Sequence, residues 1–257
     1  MKNTRRNFLK VAGITALGVA AGAGKAAASY LPHYDHMTPS PEARTAKRWG
    51  MVIDTRKFHS ADDYKPLIEA CHSYHNVPEF DGPQEIKWMW LESFHHTFPN
   101  SHAEYLSEDV EHRPFPLLCN HCEEPPCVRV CPTQATFKRE EDGIVMMDMH
   151  RCIGCRFCMA GCPYGSRSFN FQDPRKGLKK ENPEYPTRTK GVVEKCDFCV
   201  ERLAQGKMPA CVEAAEGKIL FGDLEDKNSE VRRALAENYT IRRKPDLGTS
   251  PSVFYII

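Results

Sequence analysis

The spacing of cysteines constrains this chain more than any other feature. Eight of its twelve cysteines lie between residues 119 and 162, in two runs of the form Cys-x2-Cys-x4-Cys-x3-Cys-Pro and Cys-x2-Cys-x2-Cys-x3-Cys-Pro. In such runs three thiolates on a tight loop each reach a different iron of one cubane, and the fourth points to a neighbouring cluster. The two runs therefore predict two [4Fe-4S] clusters that exchange their fourth ligands.

The exchange of fourth ligands assigns these cysteines to two sets. The first predicted cluster binds Cys119, Cys122, Cys127 and Cys162. The second binds Cys152, Cys155, Cys158 and Cys131.

Two other interpretations of the cysteine spacing compete with the iron–sulfur one. Structural zinc uses separated cysteine pairs and needs neither the third cysteine at x2 nor the proline, and disulfides, which suit an exported chain, seldom join cysteines two residues apart.

An internal repeat accounts for the other four cysteines. Residues 52–58 align with residues 146–152 as a strand that leads into a cluster loop, so Phe58 stands where a first cysteine is expected. This run has kept only its fourth ligand, Cys71, and the last run lacks its fourth, because Ala215-Glu216 replaces Cys-Pro. The two losses remove one cluster and leave a third predicted set of Cys71, Cys196, Cys199 and Cys211. The alternative is a free Cys71, buried as a small apolar side chain.

Composition favours a loop-rich protein without a nucleic-acid partner. The 257 residues suffice for one or two domains, and the 19 prolines indicate many loops. A formal charge of +1 gives no basic surplus. The sequence has no glycine-rich dinucleotide fingerprint after a strand, no P-loop and no nucleophile elbow. These absences favour a non-catalytic electron-transfer subunit over a catalytic oxidoreductase subunit.

The N-terminus has the pattern of an export signal. Residues 1–28 combine a basic start, an apolar stretch and a small-residue end. The segment Thr4-Arg5-Arg6-Asn7-Phe8-Leu9-Lys10 resembles the twin-arginine signal, whose pathway exports folded proteins and suits clusters assembled in the cytoplasm. We expect the protein in the periplasm or at the extracytoplasmic face of the cytoplasmic membrane, with residues 1–28 either cleaved or kept as an anchor. Residues 29–48 are expected to form a linker.

The rest of the chain is expected to form two modules with additions. The expected outer ferredoxin-like module comprises residues 49–78 and 192–222, and the inner module comprises residues 114–175. The aromatic-rich insertion at 79–113 is expected to be either a lid on the core or a docking surface. Its histidines have no metal-ligand spacing and are expected to be solvated or hydrogen-bonded: His95, His96, His102 and His112. Residues 176–191 are expected to be a surface loop.

Several short elements can be placed within these modules. Residues 135–148, with an Asp142-Gly143 turn, predict a β-hairpin. Residues 200–207 predict a helix, and residues 219–221 predict a strand.

The last segment, residues 223–257, is expected to hold a C-terminal helix and a docking tail. Ser229 is the predicted N-cap of a helix that extends to Asn238. The chain then ends in the apolar residues 253–257. Because an apolar end is costly to leave in water, we expect this tail to pack along a partner subunit rather than fold back on its own chain.

Taken together, residues 49–222 resemble the ferredoxin-like electron-transfer subunits of membrane oxidoreductases, such as those of dimethyl sulfoxide, polysulfide and nitrite reductase systems. The resemblance implies an α+β, loop-rich fold with two bacterial-type 2[4Fe-4S] ferredoxin-like modules, one inserted in the other. The family pattern carries four clusters, and this sequence departs from it by the loss of one cluster site. In the family the missing cluster lies towards a molybdenum subunit, so the resemblance implies that no such subunit is present.

Within that family the sequence is most similar to the DsrO group, the exported iron–sulfur subunits of DsrMKJOP complexes in sulfur-metabolising microbes. The similarity rests on the twin-arginine segment, the degenerate first run that ends in Cys71-His72, and residues 114–122 and 150–158. It implies an NrfD-like integral membrane subunit linked to quinone, a multihaem cytochrome c and other complex subunits as partners. Related polysulfide, nitrite or quinone reductase complexes are the alternative.

Two basic residues adjoin predicted ligands. Arg156 follows Cys155, and Lys195 precedes Cys196. A positive charge near a cluster favours the reduced, more negative state, so we expect these residues to raise a reduction potential. The alternative is that both side chains only face solvent.

Overall fold

A computed structural model describes residues 40–101 and 105–257. The chain divides into residues 1–40 and a unit of residues 41–257, and the description below concerns the second unit. The predicted export signal, most of the predicted linker and His102 lie outside the described residues.

The described residues form short strands and helices joined by long loops. The strands are β1 (Trp49–Asp54), β2 (Trp90–Glu92), β3 (Phe115–Leu117), β4 (Thr136–Lys138), β5 (Val145–Met147), β6 (Ser168–Phe169), β7 (Val193–Glu194), β8 (Ile219–Asp223), β9 (Thr240–Ile241) and β10 (Val253–Ile256). The helices are α1 (Lys65–Tyr74), α2 (Phe94–Thr97), α3 (Glu108–His112), α4 (Pro126–Arg129), α5 (Phe157–Ala160), α6 (Val200–Ala204), α7 (Ala210–Ala214) and α8 (Glu230–Glu237). Single 3₁₀ turns occupy Thr55–Lys57, Ala61–Tyr64, Gly82–Gln84, Pro174–Gly177 and Pro245–Leu247.

The largest sheet has four strands in the order β8-β1-β10-β9. β1 is buried along its whole length, as expected for a central strand covered on both faces. It pairs antiparallel with β8 and parallel with β10, with Met51 opposite both Phe221 and Val253. The sheet therefore joins a segment near residue 50 to the last residues of the chain.

The position of β10 corrects the expectation that the tail packs along a partner subunit. Val253, Tyr255 and Ile256 are buried in the chain's own core, and β10 lies between β1 and β9. The cost of exposing an apolar end, from which docking was inferred, is avoided by pairing with β1 within the same chain. The Tyr255 hydroxyl also donates to the Pro116 carbonyl at 2.9 Å.

Three further sheets have two strands each: β2-β3, β4-β5 and β6-β7. The antiparallel β4-β5 pair confirms the predicted hairpin, with Thr136 opposite Met147. The predicted helix near residue 200 and the strand near residue 220 are confirmed as α6 and β8. The cap of α8 is confirmed as well, since the Ser229 hydroxyl accepts from the Arg232 amide.

The insertion packs as a lid on the core, the first of its two expected roles. Its large aromatic side chains are buried: Trp88, Trp90, Phe94 and Phe98. The rings of Phe94 and Phe98 lie 5.8 and 5.3 Å from that of Phe115. The insertion histidines that the structure describes are exposed, and two of them pair with carboxylates, His95 with Glu111 and His96 with Glu92.

Residues 176–191 form a loop in which Arg188 is the one buried residue, in line with the expected surface loop, but two side chains fasten it to the fold. Arg188 is buried and pairs with Glu194 of β7. Tyr185 contacts the rings of His75 and Trp88.

Within the described ranges, no helix is long and apolar enough to cross a membrane.

The buried position of β10 predicts that Tyr255→Ala destabilises the protein. Loss of a fully buried aromatic ring is expected to cost about 3–5 kcal/mol, and Tyr255→Phe, which leaves the Pro116 carbonyl unpaired, about 1–3 kcal/mol. Urea unfolding followed by circular dichroism measures both variants. The control is Tyr239→Ala, since Tyr239 is 81% exposed, with an expected change within about 0.5 kcal/mol. Equal stability of Tyr255→Ala and the control would contradict the core position of the tail.

Candidate metal centre

The cysteines are unbridged and mostly buried. All twelve are free thiols, eight of them are buried, and only Cys155 is exposed. Because none of the twelve is joined in a disulfide, their side chains are available as metal ligands.

Three loops repeat one backbone conformation around a Cys-x-x-Cys pair. The residue before the second cysteine lies in the left-handed region in each: His121 at φ 40°, Gly154 at φ 69° and Phe198 at φ 59°. This conformation turns the chain sharply and is unfavourable for side chains other than glycine. At Gly154 a Cβ atom would also lie 2.4 Å from the Gly191 carbonyl oxygen. The third cysteine of each run, Cys127, Cys158 or Cys211, is the second residue of a short helix: α4, α5 or α7.

The thiols predicted for the first cluster lie together. Burial raises the pKa of Cys122 to about 12, and the neighbouring thiols of Cys119, Cys127 and Cys162 contribute. Burial also raises the pKa of Cys162, with a contribution from Cys119 and Cys127. The four side chains thus share one buried region, which is enclosed by residues from both cysteine runs.

The thiols predicted for the second cluster lie nearer the surface. Burial raises the pKa of Cys158, and Cys152 and Cys131 add to the shift. Burial would also raise the pKa of Cys131, but hydrogen bonds from the Thr136 and Thr133 backbone outweigh it and lower that pKa. Cys155 lies exposed on the same loop.

The structure brings Cys71 next to the thiols of the last run. Burial raises the pKa of Cys71, and the largest thiol contributions come from Cys211 and Cys196. The pKa of Cys199 is raised by burial, with Cys211, Cys71 and Cys196 as its thiol neighbours. These four residues are all buried. Cys71 belongs to α1, which packs on α7, the helix of Cys211.

Electrostatic neighbours connect the predicted sets of thiols. Cys196, predicted to share a set with Cys71, has Cys119 as an electrostatic neighbour. Cys127, predicted to share a set with Cys119, is in turn a neighbour of Cys158. Cys119 and Cys127 therefore lie near thiols of both other predicted sets.

Phe58 occupies the position where the repeat would place a first cysteine. Its ring stacks on that of Tyr64 at 4.1 Å, and both side chains are buried. The Lys218 ammonium lies 5.1 Å from the centroid of the Phe58 ring. Aromatic packing thus fills the space beside the start of the degenerate run.

The two basic residues expected to raise a potential differ in the structure. Arg156 is exposed and lies over the rings of Phe169 and Phe171. Lys195 is buried, and its ammonium donates to the carbonyls of Val145 and Cys196. The expectation of an effect on potential stays a prediction for both residues.

Sequence reasoning missed Arg167, which contacts a thiol directly. Its Nη2 atom donates to Cys127 Sγ at 3.1 Å, and its Nη1 atom donates to Thr136 Oγ1 at 3.1 Å. The side chain is 4% exposed. No motif distinguishes this arginine from the exposed ones, because its burial is set by the fold.

A second feature that sequence reasoning missed is a buried polar network beside the set with Cys71. Glu194 accepts hydrogen bonds from Trp88 at 2.6 Å and from Arg188 at 2.7 Å. The Arg188 guanidinium also donates to the carbonyls of His75 and Asn76. The network thereby fastens the insertion and the segment 176–191 to β7, directly before the loop that begins at Cys196.

His75 connects this network to the thiols. Its Nδ1 atom lies 2.8 Å from the Cys71 carbonyl oxygen, and its Nε2 atom lies 2.9 Å from Glu201 Oε1. Ligand atoms of His75, Cys199 and Glu201 lie within 4.8 Å of one another. These three residues share Cys199 with the predicted set that contains Cys71, so they do not form a separate metal site.

The donor chemistry of the three sets fits iron–sulfur clusters. Grouped thiols that burial keeps from ionising become good ligands only when cations compensate the charge of the thiolates. Soft thiolate ligands favour zinc or iron–sulfur clusters over hard cations such as magnesium. The backbone amides of Thr136 and Ala210 also donate to Cys131 and Cys199 sulfur atoms at 3.5 and 3.4 Å, an arrangement that stabilises thiolate ligands.

Clustered free thiols within a small-sheet α/β fold are typical of a ferredoxin-like iron–sulfur protein. Residues 110–177 match a family model described as a 4Fe-4S dicluster domain. The chain is 42% identical to the Hdr-like menaquinol oxidoreductase iron-sulfur subunit 1 of Archaeoglobus fulgidus, over 98% of this chain and 97% of the relative. It is 36% identical to the menaquinone reductase iron-sulfur cluster-binding subunit of Nitratidesulfovibrio vulgaris, over 81% and 88%. It is 33% identical to a tetrathionate reductase subunit of Salmonella typhimurium, over 100% and 89%.

The chain belongs to the family of iron–sulfur electron-transfer subunits of multi-subunit reductase complexes. Members of this family are electron-transfer subunits and not the catalytic ones, so the prediction of a non-catalytic subunit is confirmed. The match also confirms the prediction that the protein binds [4Fe-4S] clusters.

The buried network predicts that Glu194→Gln destabilises the fold. The substitution leaves the Arg188 guanidinium buried without its counter-ion, which is expected to cost about 3–5 kcal/mol. Urea unfolding measures the loss, and the double variant Glu194→Gln/Arg188→Met should recover part of it, since the unpaired charge is gone. Glu79→Gln is the control: its ion pair with Lys179 is exposed and is expected to contribute about 1 kcal/mol or less. A loss no larger than in the control would show that the network is not structural.

Proposed function

We propose that this protein relays electrons through three [4Fe-4S] clusters in a membrane-associated, quinone-linked respiratory complex. The feature that supports this most is the spacing of the twelve cysteines, which the exchange of fourth ligands divides into three sets of four with none left over. Each cluster, when bound, exchanges single electrons. The part of the polypeptide is to hold the three sets in a row and to surround them with defined charges and hydrogen bonds.

The proposed ligand sets follow the exchange of fourth cysteines between runs. Cys119, Cys122 and Cys127 take Cys162, and Cys152, Cys155 and Cys158 take Cys131. The third set takes Cys71 together with Cys196, Cys199 and Cys211. We propose that residues 114–175 form an inner module inserted in an outer one formed by residues 49–78 and 192–222. The neighbour relations of the thiols support this nesting.

The proposed loss of a fourth cluster has a physical counterpart in aromatic packing. A cluster of the usual kind would need three thiolates from the loop that begins at Phe58. The stacked rings of Phe58 and Tyr64 are buried there instead. We propose that this stack replaces the volume and cohesion that a fourth cluster supplies elsewhere in the family.

We propose that the membrane subunit docks on the loop around Cys155. This loop carries an exposed ligand flanked by exposed apolar side chains, with Ile153 66% and Phe157 59% accessible. An apolar rim around a redox centre is a suitable docking surface because it excludes water and shortens the path between centres. The proposed partner is an NrfD-like integral membrane subunit linked to quinone, and the relatives named menaquinol oxidoreductase and menaquinone reductase support the link.

We propose that the complex is of the DsrMKJOP type. Its second partner for this chain, besides the NrfD-like membrane subunit, is then a multihaem cytochrome c. The support is the DsrO-like motif pattern, including the degenerate first run. The twin-arginine segment supports a location at the extracytoplasmic face of the cytoplasmic membrane. The similarity to the tetrathionate reductase subunit favours the alternative of a related sulfur-compound reductase complex.

Metal analysis tests the cluster count. Anaerobically isolated protein is expected to be brown and to contain about twelve iron atoms and twelve acid-labile sulfides, four of each per cluster. Cys71→Ser is expected to lose about four of each, because one ligand set becomes incomplete. The control Ser73→Ala, on the same helix, should keep all of them. Three intact clusters in Cys71→Ser would refute the third set, and colourless protein with tetrahedral zinc would refute electron transfer itself.

Charged substitutions test the docking surface. Ile153→Asp and Phe157→Asp are expected to weaken association with the membrane subunit by about 2 kcal/mol or more, roughly thirtyfold in Kd, without loss of iron. Co-purification with the membrane fraction and the rate of reduction by a quinol analogue measure the effect. Tyr239→Asp, at an equally exposed aromatic side chain elsewhere, is the matched control. Unchanged association in both loop variants would move the docking surface away from Cys155.

A further inference from the structure

Arg167 differs from the other buried arginines described here in what it pairs with. Arg188 has Glu194 as its counter-ion at 2.5 Å, and Arg243 donates to the carbonyls of Thr97 and Tyr164. No ion pair in the described ranges joins Arg167 to a carboxylate. Instead its guanidinium donates to the sulfur of Cys127 and to the hydroxyl of Thr136. An anionic neighbour stabilises a buried positive charge, and the Cys127 sulfur, as a thiolate ligand, is the anionic group that Arg167 contacts directly.

The thiols that stabilise this charge come from two ligand sets. Arg167 donates to Cys127 Sγ and to the hydroxyl of Thr136, and the Thr136 amide donates to Cys131 Sγ; the thiols of Cys158 and Cys119 are further electrostatic neighbours of the guanidinium. Cys127 and Cys119 belong to the proposed first cluster, and Cys158 belongs to the second. Arg167 therefore lies where these two sets meet.

Building on the proposed function, we propose that Arg167 is a positive charge shared by the two clusters of the inner module (residues 114–175) and that it raises the reduction potentials of both. One-electron reduction makes a cluster and its four thiolate ligands more negative by one charge. A fixed cation in a water-poor region stabilises that added charge more strongly than a cation at the surface does. The direct hydrogen bond to Cys127 Sγ makes the effect larger for the set that contains Cys127, because hydrogen bonds to ligand sulfur favour the reduced state.

Neither of the two basic residues that adjoin ligands in the sequence has this combination of contacts. Arg156 is exposed, and its charge lies over the rings of Phe169 and Phe171, so water and salt screen it. Lys195 is buried, but its ammonium donates to two carbonyl oxygens. Among the described arginine and lysine side chains, Arg167 is the one with a hydrogen bond to a cysteine sulfur.

Redox titration of the full-length, anaerobically isolated protein tests the role of Arg167. In Arg167→Gln, with iron and sulfide content unchanged, the reduction equilibrium of two of the three centres should shift at least tenfold towards the oxidised state. That change corresponds to about 59 mV for a one-electron couple. The third centre, recognised by its absence from the Cys71→Ser spectrum, should keep its potential. Electron paramagnetic resonance at defined potentials follows each centre separately.

Two further variants separate charge from structure. Arg167→Lys keeps the charge but forms fewer hydrogen bonds, so the same two centres should shift by less than in Arg167→Gln, and the set with Cys127 should shift more. Arg233→Gln removes an exposed arginine from α8 and should leave all three potentials unchanged. If Arg167→Gln loses iron, the titration of a second charge-removing variant, Arg167→Met, decides, and wild-type potentials in iron-replete Arg167→Met overturn the proposal.

Other results would also overturn it. These are unchanged potentials in an iron-replete Arg167→Gln protein, an equal shift of all three centres, and a shift in Arg167→Lys as large as in Arg167→Gln. A failure of the proposed function looks different. In that case the wild-type protein itself would lack iron and sulfide, and no titration signal would exist to compare.

Discussion

The burial of thiols is the constraint on which the rest of the structure depends. Eight of the cysteines lie in the interior, where burial raises the pKa of those such as Cys71 and Cys196 and opposes the thiolate form. Metal ions remove that penalty, so ligation and folding are coupled. This coupling explains why helices such as α4, α5 and α7 need only four or five residues: each has to position one sulfur atom, and the clusters replace much of the cohesion that longer elements provide.

Local features of the fold could be predicted from the sequence, whereas long-range ones could not. The Ser229 cap and the hairpin at Asp142-Gly143 depend on residues a few positions apart, and both were confirmed. The cysteine runs likewise specify their own loops, because each repeats one left-handed turn. The prediction that the tail packs along a partner subunit was wrong, because β10 pairs in parallel with β1 some 200 residues earlier. An apolar C-terminal segment has the same sequence pattern whether it pairs within its own chain or with a partner.

Buried charges were the other part that sequence reasoning could not find. Arg167 and Arg188 have the same side chain as the exposed arginines, and burial is a property of the completed fold. Their partners also differ in kind: Arg188 pairs with the Glu194 carboxylate, and Arg167 with the sulfur of Cys127. A buried cation that pairs with a carboxylate fixes the structure, whereas one that pairs with a cluster ligand also changes the energy of an added electron. Only the three-dimensional contacts separate these two roles.

The proposed sets of thiols differ in burial, and under the proposed function this difference bears on how electrons enter and leave. At one end Cys155 is exposed, so a partner that binds this loop touches a ligand directly. At the other end the set with Cys71 lies behind His75, Tyr185 and Trp88, whose rings contact one another. A partner at that end must exchange electrons across the side chains held by the Glu194 network. Under the proposed function, the insertion and the segment 176–191 would therefore separate this set from a partner as well as support it, and electron transfer at this end would depend on how closely a partner fits the surface that they form.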